Sequence, residues 1–223
     1  MIGLSLNSTI ITIPNKQAKQ DVRTMAIEMQ IWLYWLICLL AVVLLIVTRQ
    51  QIPLLLSPHS ETAEQPGYLQ SLLLGWAFTG LAAISYILLT RKETPGTYQL
   101  SDLGFFALVN GILEQLMFVF WFLLGCWLGK RLNVQSPWKI FGLGFLSYSL
   151  YSGAIHALFW VNVLPKHQPA LIMPFFLLIM SLGWMWLFWR HRALVSIIAM
   201  HIMIDFLTLG HLHFPWFEPY QLV

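Results

Sequence analysis

Six apolar runs alternate along the chain with short polar segments: Ile31–Thr48, Tyr68–Thr90, Leu103–Gly129, Trp138–Leu164, Ala170–Trp189 and Ala193–Phe214. Each is long enough to cross a hydrocarbon core of ~30 Å as a helix. The segments between them are marked by Pro, Gly and charge: "RQQIPLLLSPHSETAEQPG", "RKETPGTYQLSD", "KRLNVQSP", "PKHQP" and "RHR". Inside the runs the apolar residues are continuous, not alternating, which is the pattern of helices and not of barrel strands. A backbone in lipid must satisfy its own hydrogen bonds, so uniformly apolar runs of this length predict helices. The expected fold is all-α, a polytopic integral membrane bundle of about six transmembrane helices. Trp32, Trp127, Trp138 and Trp189 fall near the ends of runs, where amphipathic rings sit at a membrane interface.

Composition agrees with this reading. Hydrophobic residues make up 58% of the 223-residue chain and charged residues only 9%, against about 25% in soluble domains. The net charge of +3 is spread over short loops, with no basic run of the kind nucleic-acid binding requires. The predicted partner is the lipid bilayer, with a membrane protein or peptide as substrate or partner and no nucleic acid. Residues 1–30 are predicted to be a polar leader and 31–223 the transmembrane domain. The first apolar run is longer than the ~7–15 residues of a signal-peptide core, so it is expected to be a retained span. The leader, with Lys16, Lys19, Asp21, Arg23 and Glu28, is expected either as a short surface helix or without fixed structure. Six spans place six basic residues on each face, so the positive-inside rule sets no orientation. The expected location is the cell (inner) membrane or an organelle membrane of bacterial origin. Cys38 and Cys126, both in apolar runs, are expected as packed free thiols.

Polar residues inside the runs carry the functional signal. Of nine acidic residues only Glu114 and Asp205 lie deep in apolar segments, and of seven histidines only His156 and His201 do. An ionised side chain at mid-bilayer costs about 2.5–3.5 kcal/mol on insertion scales, so such groups are candidates for function. At ~1.5 Å of rise per residue, Glu114 lies about 16 Å from the face holding the termini, His156 about 12 Å, Asp205 about 14 Å and His201 about 20 Å. Three helices therefore deliver polar groups to one layer. His201 and Asp205, four residues apart, share a helix face. Asn110 lies one turn before Glu114, Ser149 and Ser152 precede His156, and Thr208 follows Asp205. Ser149 and Thr208 are read as packing and back-bonding, and Asn110 is left open.

A glutamate with two histidines supplies what water activation needs: a general base, and imidazole N–H groups to stabilise an oxyanion. The same set, Glu114, His156, His201 and Asp205, has the donor types of an open zinc site. The chain lacks H-E-x-x-H and G-x-S-x-G, so the soluble zincin and serine-hydrolase mechanisms find no support.

Three stretches resemble the motifs of the CPBP intramembrane proteases, which include CAAX-processing endopeptidases and bacteriocin-processing or immunity proteins. "LEQLMFVFWFLLG" is similar to the family's E-E-x-x-x-R helix and "YSGAIHALFW" to its F-x-x-x-H helix. "MSLGWMWLFWRHRALVSIIAMHIMIDF" is similar to its H-x-x-x-N/D helix with the helix before it. The likeness covers about residues 103–209. Gln115 stands where the family has its second Glu, Val119 where it has Arg, and Ser152 where it has Phe. The resemblance implies an intramembrane peptidase acting on a membrane-associated peptide or protein. It implies Glu114 as the water-activating base, with His156, His201 and Asp205 as partners, or as ligands if a divalent metal such as zinc is used. Two alternatives stand beside it. One is a proteolytically inactive CPBP-like scaffold that binds another membrane protein. The other is a bis-His haem protein, with His156 and His201 as axial ligands.

Overall fold

The computed structural model describes residues 16–47, 66–90, 100–160 and 172–208. These residues form six helices and no strands: α1 Lys16–Val47, α2 Tyr68–Thr90, α3 Leu100–Arg131, α4 Pro137–Trp160, α5 Met173–His191 and α6 Leu194–Thr208. α2 has the bounds predicted from the apolar run, α1 begins fifteen residues before its run, and the others differ by a few residues where they can be compared. The outer ends expected for the fourth and sixth runs, at Leu164 and Phe214, lie outside the described residues.

Local chemistry explains the helix ends. α3 stops in a Schellman turn: Asn133 takes a left-handed φ of 56°, its N–H donates to Lys130 O, and Val134 N–H donates to Gly129 O. Pro137 opens α4, where a missing N–H is harmless. α5 and α6 are separated by a sharp break at Arg192, whose φ is 54° and whose N–H donates to Phe188 O. The leader differs from expectation. Lys16–Gln30 continues into the apolar run as one 32-residue helix, because no Gly or Pro interrupts residues 16–47. Polarity there marks water or headgroups, not a helix boundary.

Four helical segments are long and apolar enough to cross a membrane: Met29–Val47, Tyr68–Leu89, Leu103–Arg131 and Met173–His191. Of these, 56% of the α3 window is buried, against 28% of the α1 and α2 windows. α3 is accordingly the central helix, packed by α1, α4 and α6, while α2 packs on α5 and α6. The outer faces of α1 and α2 are aliphatic and exposed, as at Leu36, Leu40, Leu44, Leu73, Ile84 and Leu88. A contiguous apolar surface of this kind is a lipid-facing one. α4 is long enough, at 24 residues, but interrupts its apolar run with Ser147, Tyr148, Ser149, Tyr151, Ser152 and His156. α6 has 15 described residues, about 22 Å of helix.

Close approach at two glycines brings the site helices together. A Cβ at Gly125 of α3 would lie 2.7 Å from Ser147 Cβ and 2.8 Å from Gly144 Cα of α4. One at Gly111 would lie 2.8 Å from the Ile202 backbone nitrogen of α6. Neither distance is compatible with a side chain, so the absence of one lets the backbones meet, as small residues do between membrane helices. Both cysteines are free and buried.

Candidate functional site

A cavity of about 550 Å³ lies between α1, α3, α4, α5 and α6, and all four candidate residues, Glu114, His156, His201 and Asp205, line it. Most of its wall is apolar, from residues such as Ile31, Phe106, Phe118, Met173 and Met180. The polar groups gather on one side.

Three of the four candidates converge. His201 Nε2 is 3.5 Å from Glu114 Oε2 and 3.7 Å from Asp205 Oδ1. The i, i+4 spacing on α6 sets the second of these distances, and the Gly111 contact of α3 with α6 sets the first. Glu114, His201 and Asp205 are each less than a tenth exposed. An imidazole nitrogen facing two carboxylates is a donor, because a lone pair there would be repelled. His201 Nε2 therefore carries a proton. The other ring nitrogen, Nδ1, is 3.0 Å from Gln115 Oε1.

Asn110 ties the carboxylates together. Its Nδ2 donates to Glu114 Oε2 at 2.7 Å and to Asp205 Oδ2 at 3.0 Å. Its orientation follows from its third partner: Trp35 Nε1 donates to Asn110 Oδ1 at 2.9 Å, and an indole nitrogen can only donate. Tyr34 adds a hydroxyl donor to Glu114 Oε1 at 2.9 Å, and Tyr151 donates in turn to Tyr34 at 3.3 Å. The Glu114 carboxylate thus accepts from Tyr34 and Asn110 and faces the His201 imidazole across 3.5 Å. Tyr34 takes one of the two lone-pair positions on Oε1, and among the described residues the other has no donor.

His156 stands apart from this cluster on the same cavity wall. Its Nδ1 lies 2.7 Å from Ser152 O, one turn earlier on α4. A carbonyl only accepts, so Nδ1 carries a proton and donates to it. The ring is thereby fixed on the cavity wall. Phe118 links the two histidines, stacking on His201 with ring centroids 5.7 Å apart and on His156 at 6.5 Å.

Sequence reasoning missed several members of the site. Tyr34 and Trp35 lie in "WLYWLIC" of α1, and their polar atoms were hidden inside residues that read as hydrophobic. Gln115 was read as a departure from a motif, although it is fully buried and holds His201. Thr208 bonds back to Ile204 O at 2.6 Å, as expected of a packing threonine. Ser149 Oγ is buried and has no hydrogen-bond partner among the described residues. Tyr148 and Ser181, hydrogen-bonded to each other at 2.5 Å, form a second polar spot on the cavity wall.

The expected zinc ligand set does not fit the arrangement. Among the described residues no group of three or more His, Cys, Asp or Glu side chains is placed to hold a metal ion. His201 Nε2 points at the two carboxylates instead of pointing with them toward a common centre, and the His156 ring stacks on Phe118. An axial bond from His201 to haem iron would need that same Nε2.

The chemistry available is that of a buried carboxylate, an imidazole held between two acids, and a second imidazole fixed by its own helix, all beside an apolar cavity. The chain matches no protein-family model, no curated protein and no solved structure.

Proposed function

We propose that this protein crosses the bilayer six times and hydrolyses a peptide bond of a membrane-embedded protein or peptide, in the manner of the CPBP proteases it resembles. Glu114 takes a proton from a water at its open Oε1 position, and the hydroxide adds to the scissile carbonyl. The proton then passes to the leaving nitrogen as the C–N bond breaks, giving a carboxylic acid and an amine. His201 holds Glu114 in place, Asp205 holds His201, and His156, on the same cavity wall, orients the water. The apolar cavity takes the residues flanking the scissile bond and excludes bulk water. The observation that carries this reading is that Glu114 lies 3.5 Å from the His201 imidazole on the wall of a cavity that His156 also lines.

A second reading has its own support. Tyr34, Asn110 and His201 already occupy most of the Glu114 carboxylate, which is also what a structural clamp in a binding scaffold would look like. One experiment separates the two: membranes carrying wild type or Glu114→Gln protein are compared for membrane-protein fragments by mass spectrometry of termini. Hydrolysis predicts new termini that vanish with Glu114→Gln while the protein stays folded. General-base catalysis contributes ~10²–10⁴-fold, so residual cleavage near wild-type level would overturn the hydrolase in favour of the scaffold.

A further inference from the structure

The end of the bundle remote from the cavity is basic. Lys130 and Arg131 close α3, Lys139 lies in the first turn of α4, and Arg190 and Arg192 flank the end of α5. The contact of Tyr68, at the start of α2, with His191 places α2 at the same end. Among the described residues no Asp or Glu lies at this end. Trp127 and Trp138 are exposed there, Arg131 lies over the Trp127 ring at 5.2 Å, and Trp138 stacks on Trp186 at 5.3 Å. Aromatic rings beside cations are the pattern of a headgroup layer.

Arg192 is the unusual member of this set. Its backbone is held left-handed, a conformation that normally favours Gly or Asn. The turn is fixed by its own N–H on Phe188 O and by Leu194 N–H on Arg192 O, both 2.8 Å. The guanidinium lies over Phe188 at 5.6 Å and Trp189 at 5.9 Å. Its Nη1 is buried and has no acceptor among the described residues. Burial pushes the Arg192 guanidinium down from its ordinary range, a penalty that a nearby anion would offset. Lys130 ends the neighbouring helix: Phe122 of α3 packs on Phe188 and Trp189, the two rings beneath the Arg192 guanidinium. A guanidinium and an ammonium gathered at one end of the bundle suit the oxygens of a phosphate.

We propose that Arg192 and Lys130 bind the phosphate of an anionic phospholipid at the α3–α5 end of the bundle, with its acyl chains along the exposed apolar helix faces. The lipid phosphate offsets the cost of the part-buried Arg192 charge and fixes the turn from which α6 carries His201 and Asp205 to the site. The proposal does not depend on the peptidase reading.

The test is retention and stabilisation of the full chain purified in neutral detergent. Native mass spectrometry and thermal melts are run with phosphatidylglycerol, phosphatidylcholine or inorganic phosphate added. The expected result is selective retention of phosphatidylglycerol and a rise in Tm that phosphatidylcholine and phosphate do not reproduce. Arg192→Asn keeps a residue that tolerates the left-handed turn, and Lys130→Gln changes an exposed position. Each should weaken phosphatidylglycerol binding roughly fivefold, the effect of one cation near an anionic surface, while Arg131→Gln should change it less. If Arg192→Asn does not fold, Lys130→Gln decides. Equal retention of the two lipids, or wild-type retention by Lys130→Gln, would overturn the proposal. Stabilisation by inorganic phosphate equal to that by lipid would overturn the lipid in favour of a free-anion site.

Discussion

Replacing Asn110 with Leu removes all three hydrogen bonds of this side chain while keeping its shape, since both branch identically at Cγ. Two of these bonds cross between helices: Trp35 on α1 donates to Asn110 at 2.9 Å, and Asn110 donates to Asp205 on α6 at 3.0 Å. The third, to Glu114, stays within α3. In a water-soluble core, bonds to charged groups contribute ~1.5–3 kcal/mol each, which would make the loss very large. In a bilayer the separated helices also find partners, and interhelical bonds average ~0.6 kcal/mol with a maximum near ~1.7. The membrane value governs here, so two interhelical bonds give a loss of about 1–3 kcal/mol. The assay is equilibrium unfolding in mixed micelles of increasing SDS content, run as a double-mutant cycle with Trp35→Phe, which keeps an aromatic ring and deletes the indole N–H. The coupling between the two positions should be about 0.6–1.7 kcal/mol. If the two effects add within ~0.3 kcal/mol, the error of independent sites, Trp35 does not orient Asn110. The argument that Asn110 holds the two carboxylates in a fixed relation would then fail.

Other expectations follow from the same geometry. Gly111→Ala forces a Cβ to within 2.8 Å of the Ile202 backbone, so α6 must shift. We expect a loss of about 1–3 kcal/mol in the same unfolding assay, as for overpacked cores, together with a loss of any Glu114-dependent cleavage; full activity would show that the α3–α6 spacing does not set the site. Gln115→Leu removes the hydrogen-bond partner of His201 Nδ1, and ¹⁵N spectra of histidine-labelled protein should show the His201 resonances moving while those of His156 stay, because its Nδ1 is held by Ser152 O. Addition of a chelator should leave cleavage unchanged, since no ligand set converges among the described residues; inhibition reversed by zinc would contradict that geometry. Gln115→Glu alone should destabilise the protein more than Gln115→Glu combined with Val119→Arg, as read by SDS midpoints.

The fold was legible because a bilayer leaves few choices. Long apolar runs must be helices, and α2 begins and ends where its run does. The first helix was misjudged because a change from polar to apolar composition reports a change of surroundings, whereas a helix continues until its backbone is interrupted. For the site, the carboxylates and histidines were legible as isolated charges in apolar sequence, and a shared depth predicted one cavity for Glu114, His156, His201 and Asp205; all four line it, and Glu114, His201 and Asp205 come within ion-pair distance. Tyr34 and Trp35 were not legible, because each contributes one polar atom on a large apolar body, and no periodicity distinguishes a tryptophan that packs from one that also donates. The protonation of His156 was beyond the sequence as well, since it depends on which ring nitrogen reaches Ser152 O.

Gln115 and Val119 make sense as a pair. Relative to the motif that the first site helix resembles, one carboxylate and one guanidinium are missing, four residues apart on the same helix, and both positions are fully buried. Removing one partner of a buried ion pair leaves an uncompensated charge and costs ~3–5 kcal/mol, whereas replacing both with neutral, well-packed residues is often neutral or stabilising. The two departures together therefore leave the net charge of the core unchanged. Val119 joins the main hydrophobic cluster with Phe122, Met185 and Leu187. The amide of Gln115 still reaches His201 at 3.0 Å, and it does so without adding a third acid beside Glu114 and Asp205. With two carboxylates and one imidazole the cluster carries at most one net negative charge when His201 is protonated; a third carboxylate without its arginine would bring a second. Against the motif it resembles, the helix lacks an ion pair but has the atom that fixes the His201 ring, so the two absent charges are no argument in themselves against a working site.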